Sequence, residues 1–192
     1  MEKSLMVLTL VSIMGIANGV AMGPELVQKW LNTRYRVKER VTPLQFYVRD
    51  VFSTPNTKNV TTTNVIVAKA NTTFGSPTLF GLVVVIDDPV TVGPEPDSKV
   101  MGRAEGIVTF ASLEKISLHM TFTVVFTDEK YNGSTLSFVG RNSCLAVELG
   151  QISIVGGTGA FMLARGVAFV NTIPSNSSGD TVFEYNAFVL HY

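Results

Sequence analysis

In the stretch "ISLHMTFTVVFT", Ile116, Leu118, Met120, Phe122, Val124 and Phe126 alternate with Ser117, His119, Thr121 and Thr123. A period of two marks a strand with one face buried and the other in water. Similar β-like runs cover Leu44 to Phe52, Thr62 to Ala68, Leu79 to Ile86, Val100 to Ala111, Ser134 to Gly140, Ile152 to Val155, Met162 to Thr172 and Thr181 to His191. N-G, P-N, P-E-P-D and S-S-G-D separate them, and these are residues that turn a chain. About eight or nine short strands without intervening helices predict an all-β antiparallel barrel or sandwich. Only Pro24 to Val41 carries a weak helical pattern, which predicts a short helix in an N-terminal arm that stops before Pro43.

The glycine-rich segment "VGGTGAFMLARG", Val155 to Gly166, invites comparison with a phosphate-binding loop. Its spacing departs from G-x-G-x-x-G, because Met162 stands where the third glycine belongs, and no Gly-Lys-Ser/Thr follows. Its flanks, "LGQISIV" and "LARGVAFVNT", both read as strands. The glycines therefore read as a turn from one strand to the next.

The first residues change the picture at the N-terminus. Lys3 precedes an apolar run from Leu5 to Ala17, and Ala17-Asn18-Gly19 supplies small residues where a signal peptidase cuts. The run is shorter than a membrane span and is diluted by Ser12 and Gly15. We therefore read residues 1–19 as a signal peptide, 20–42 as an arm and 43–192 as one barrel domain, in a secreted chain with no membrane anchor. N-x-[ST] acceptors at Asn59, Asn71, Asn132 and Asn176 lie in polar, turn-rich stretches suited to glycans. The single cysteine, Cys144, excludes an intramolecular disulfide and reads as a buried thiol. With 15 basic and 15 acidic residues scattered along the chain, nothing marks a nucleic-acid partner.

Candidate chemistry is sparse. His119 and His191 stand apart without metal-ligand spacing, and no G-x-S-x-G elbow occurs. The reading therefore includes no metal and no cofactor. What stands out is charge in apolar strands. In "LQFYVRD", alternation puts Asp50 on the face of Leu44, Phe46 and Val48, so its carboxyl points to a core or cavity, where desolvation makes it a candidate general acid. In "MLARGVAF", Arg165 shares a face with Leu163, Val167 and Phe169 and would be an inward partner for such an acid. The pair reads equally as a structural ion pair or as part of a pocket. Asp87-Asp88-Pro89, after "LVVVI", reads as a strand end and turn.

"FYVRD", "VVVIDDPVTVGPEPDSKVMGRAEG", "FTDEKYNGSTLSFVGRN", "GGTGAFMLARG" and "EYNAFVLHY", in that order across Leu44 to Tyr192, resemble plant dirigent proteins. The match is nearest the branch ending EYN…HY, which includes pterocarpan-synthase-like members. The resemblance implies an eight-stranded antiparallel β-barrel of the dirigent and allene oxide cyclase type, secretion to the apoplast and cell wall, glycosylation, and a homo-oligomer, a trimer or a dimer. It implies a pocket that binds phenolic radicals or quinone methides and imparts stereoselectivity on their coupling in lignan and phenylpropanoid biosynthesis, while a separate laccase or peroxidase does the oxidation. A dehydrating cyclase of the pterocarpan type is the alternative, with a phenolic-binding wall or defence protein as a third reading. Carried over by position, Asp50 matches the family's pocket aspartate, Phe183 an aromatic pocket position, and Asn142 the place of a second aspartate in lignan-forming members. Two positions depart: Val108 replaces a common tyrosine, and Gly150 stands where a pocket arginine is expected.

Overall fold

The computed structural model describes residues 24–34, 38–51, 62–143, 150–173 and 180–192. The leader, Cys144 and the sequons at Asn59 and Asn176 lie outside the described residues. Pro24–Arg34 is an α-helix, α1, opened by a proline that needs no backbone donor in the first turn. Residues 39–192 form a separate compact unit.

That unit is a barrel. Its strands are β1 (Arg40–Val51), β2 (Asn64–Ala68), β3 (Val83–Thr91), β4 (Val100–Phe110), β5 (Leu118–Phe126), β6 (Thr135–Asn142), β7 (Gly150–Thr158), β8 (Arg165–Ile173) and β9 (Asp180–His191). The order β1-β9-β8-β7-β6-β5-β4-β3 closes through an antiparallel pairing of β1 with β3, at Tyr47↔Thr91 and Val48↔Val90. Eight antiparallel strands thus make a closed ring, and β2 adds a ninth on the free edge of β3. Closure removes most of the edge that an open sheet would present.

Alternation along each strand fills the interior. On β5 the buried positions are Leu118, Met120, Phe122, Val124 and Phe126, the face that period two predicts. Phe46 stacks on Tyr185 with centroids 5.1 Å apart, and Phe122 stacks on Phe138 at 4.9 Å. Edge contacts join these two stacks across the middle of the barrel. A second cluster of Phe126, Tyr131, Phe161 and His191 packs at the end where β5 and β9 finish. These side chains plug that end, and among the described residues the room lies toward the opposite end, where β1 finishes and β9 begins.

Strand limits differ from expectation in two instructive places. β3 does not stop at Ile86; it runs through Asp87, Asp88 and Pro89 to Thr91, so the turn expected at this triplet is corrected to strand. A proline fits there because Asp87 N–H points away from β4 to Thr63 O, and by alternation the N–H that Pro89 lacks would have pointed the same way. No registered partner stands on that side at Pro89, between the β2 and β1 pairings. The glycine-rich segment does turn, but later than expected: Gly156, Gly157 and Thr158 still pair with β6 in β7, and only Gly159–Phe161 forms a single 3-10 turn, with Gly159 at φ +61°, a conformation glycine adopts without a Cβ clash.

Candidate functional site

The open end of the barrel holds a pocket whose empty space, with the open solvent at its mouth counted in, is about 520 Å³. Its walls are mostly apolar: Val84, Ile86, Val108, Leu118 and Met120 with the aromatic rings of Phe110, Phe122, Phe183 and Tyr185. Two polar side chains interrupt them, Asp50 from β1 and Asp88 from β3. Both project inward for the same reason. Each continues the buried face of its strand, after Phe46 and Val48 in one case and after Val84 and Ile86 in the other.

The register Val48↔Val90, carried two residues on, sets Asp50 opposite Asp88. Ladder pairing has ended there, and the strands part to admit the segment Thr62–Asn64. Thr63 N–H donates to Val51 O at 3.1 Å, and Asp87 N–H donates to Thr63 O at 2.9 Å. From this wedge Thr63 Oγ1 donates to Asp88 Oδ1 at 2.5 Å, and Asn64 Nδ2 donates to Asp50 Oδ1 at 2.5 Å.

Asp88 is 2 % exposed. Burial pushes its carboxyl up to about 8, and the Asp50 charge across the gap adds to the rise. The hydrogen bond from Thr63 and the Arg103 charge pull the other way, while Asp87 adds a further small push. At neutral pH Asp88 therefore favours its protonated form, with the Asp50 carboxyl opposite, in apolar surroundings that strengthen both effects.

The sequence-derived residues separate clearly. Asp50 and Phe183 line the pocket. Asn142 is buried at the same end, one strand beyond Leu118 in register, and among the described residues its Nδ2 has no hydrogen-bond partner. Arg165 is not in the pocket, and the inward placement is corrected. It begins β8 at the plugged end, points outward and pairs with Glu39 at 2.6 Å. The inward face of β8 is Ala164, Ala168 and Val170, while Val167 and Phe169 share the outer side with Arg165. Asn71 and Asn132 are exposed. Asp88, Thr63 and Asn64 were missed. Alternation through "VVVIDDPVT" was the available signal for Asp88, because Val84, Ile86, Asp88 and Val90 form one continuous face. Among the described residues, no group of three or more His, Cys, Asp and Glu side chains comes together as a metal site.

The family model described as Dirigent-like protein matches residues 41–190. This chain belongs to the dirigent family. Pterocarpan synthase 1 of Glycyrrhiza echinata is 44% identical over 156 residues, 81% of this chain and 80% of that relative. Dirigent protein 21 of Arabidopsis thaliana is 43% identical over 80% of this chain and 78% of its own length. A solved structure of a pterocarpan synthase dirigent protein, also 44% identical, superposes with a TM-score of 0.72 and covers 81% of this chain and 92% of that one. Dirigent proteins thus share the closed barrel found here.

Within this dirigent barrel the two departures have structural correlates. Val108 is buried on β4 and lines the pocket, so the wall there has no phenol. Gly150 opens β7 against Asn142, and a Cβ at 150 would meet Asn142 Oδ1 at 2.7 Å. A side chain at 150 would therefore require the Asn142 amide to shift from its present position.

Proposed function

We propose that the pocket takes a phenolic alcohol, expels its hydroxyl as water and directs closure of a new ring on one face of the resulting quinone methide. The observation that carries this reading is the pair of inward carboxyls, with Asp88 holding its proton up to about pH 8 and Asp50 opposite it. In the first step Asp88 gives its proton to the leaving hydroxyl as the C–O bond breaks and the bonding pair goes to oxygen. Asp50 accepts the proton of the conjugated phenol, so the substrate becomes a neutral quinone methide. A second hydroxyl of the same molecule attacks the electrophilic carbon. Its proton returns to Asp88, and Asp50 returns its proton to the regenerated phenol oxygen. One water is lost and no oxidant is consumed. The apolar walls supply the orientation, holding the rings so that one face of the carbon meets the attacking oxygen. The name of the 44% identical relative, pterocarpan synthase, supports this reading.

Stereodirection of phenoxy radical coupling, with a laccase or peroxidase as separate oxidant, is the second reading. Its support is the same aromatic and aliphatic wall. We further propose secretion to the apoplast, glycans on exposed Asn71 and Asn132, and self-association. The last rests on a row of exposed apolar residues in register on the outer face, Val65↔Val85↔Ile107. The experiment is a panel of isoflavanols and monolignols, with and without laccase, read by chiral chromatography. Conversion of an isoflavanol without oxidant is the expected result. Enantiomeric excess only in the presence of laccase would replace it with the second reading.

A further inference from the structure

Two neighbouring carboxyls that share a pocket can exchange roles unless something distinguishes them. In this barrel burial singles out Asp88, and the wedge sets the hydrogen bond that each carboxyl receives. Thr63 Oγ1 accepts a hydrogen bond from Val51 N–H at 3.0 Å, so one lone pair is occupied and the hydroxyl proton is aimed at Asp88 Oδ1. That oxygen is thereby made the acceptor of the Asp88 carboxyl, which leaves Oδ2 to carry the acid proton. Asn64 is oriented by the backbone in the same manner. Its Nδ2 donates to Val51 O at 3.1 Å, which identifies that end as the amide NH₂, and the same nitrogen donates to Asp50 Oδ1. An NH₂ donor favours the charged form of the carboxyl it meets. Both side chains are keyed to one residue, Val51, and both reach their acid because Thr62–Asn64 enters where β1 and β3 part.

We propose that Thr63 and Asn64 are positioning residues for the acid pair: Asn64 holds Asp50 as the carboxylate, and Thr63 fixes Asp88 Oδ1 as an acceptor, so that the acid proton which burial keeps on Asp88 sits on Oδ2, while the Thr63 hydrogen bond tempers that acid rather than raising it. The assignment rests on the functional reading above for its purpose, but it is a statement about protons and can be read without turnover. The groups that face Asp88 are Asp50 from β1, Thr63 from the wedge and, at longer range, Arg103 from β4 and the adjacent Asp87. None of them other than Thr63 donates a hydrogen bond to it among the described residues.

The test is a carboxyl-carbon NMR titration of the intact, aspartate-labelled protein, with D50N and D88N assigning the two signals. The expected result is that Asp88 titrates far above Asp50. In T63V the Asp88 titration should move upward by roughly one to two pH units, the size of one lost hydrogen bond to a charged oxygen, and T63S, which keeps the hydroxyl, should titrate as wild type. In N64L the Asp50 titration should rise. Reversed titrations in the wild type would overturn the proposal, as would an unmoved Asp88 signal in a folded T63V protein. Should T63V fail to fold, T63A removes the same hydroxyl, and an unmoved Asp88 titration in it would equally overturn the proposal. Separated titrations with no ring closure on any isoflavanol would leave this assignment standing and remove the proposed activity. Ring closure with the titrations reversed would do the opposite.

Discussion

Glu184 lies on the outer face of β9, where Asn171, Gln45 and Tyr47 donate to its carboxylate at 2.9, 2.7 and 3.3 Å. Hydrogen bonding by Asn171, foremost, holds that carboxyl below its usual range. Asp88, of the same chemistry, is turned inward with one donor and a like charge opposite, and it moves the other way. The sign of the resulting stability effect is unusual for an acid. Folded Asp88 keeps its proton up to about pH 8, whereas the unfolded chain releases it near the ordinary value of 3.8. Between those values the folded state binds the extra proton, so stability falls as pH rises through that window and levels off above it. D88N should therefore be more stable than wild type at pH 8, by on the order of a few kcal/mol, with the gain vanishing below about pH 4. Urea denaturation at several pH values measures this. In turnover, the rate should decline above about pH 8 as Asp88 loses its proton, and D88N should lower kcat by about 10²–10⁴-fold. A pH–rate profile of both proteins checks the pair of expectations.

At the level of elements, strand identity was legible wherever one face is apolar and the other polar. β5 is the clear case, since its Thr and His positions are outside and its Phe and Met positions inside. β8 was legible as a strand but not as to its orientation. It carries apolar residues on both faces, and the narrow interior accepts the small Ala168 while Phe169 meets Phe188 outside at 6.1 Å. Side-chain size therefore pointed to the wrong face and took Arg165 with it. R165A should leave product distribution and the thermal midpoint nearly unchanged, because its pairing with Glu39 is at the surface and far from the pocket. Differential scanning fluorimetry with chiral product analysis measures both. β3 was cut short for a different reason. Proline and paired aspartates favour turns locally, and only the missing partner on one side of Pro89 makes them acceptable in a strand. Inside the barrel, F138A removes a ring from the central stack and should cost about 3–5 kcal/mol, read as a lower urea midpoint.

For the whole molecule, closure is what turns a set of amphipathic strands into a container. Among the described residues, the aromatic cluster fills one end, and the pocket toward the other has both acids in its wall. On the outside, the row Val65, Val85 and Ile107 remains uncovered among the described residues. If that row is the proposed self-association face, I107E should shift the protein to a smaller species in analytical ultracentrifugation while its circular dichroism is unchanged. An unshifted sedimentation coefficient would remove Ile107 from the interface.

The sequence by itself determined the all-β class, the number of strands to within one, the turn at the GGTG segment and the inward direction of Asp50. Each of these follows from local periodicity or turn chemistry, which neighbouring residues impose on one another. Only the tertiary structure decided that Asp50 faces Asp88, that Thr62–Asn64 enters between their strands, and that Arg165 stands outside at the far end. Alternation says which residues share a face of a strand, but it does not say which face is enclosed or which strand lies opposite. Those choices are made when β1 pairs with β3 and the ring closes.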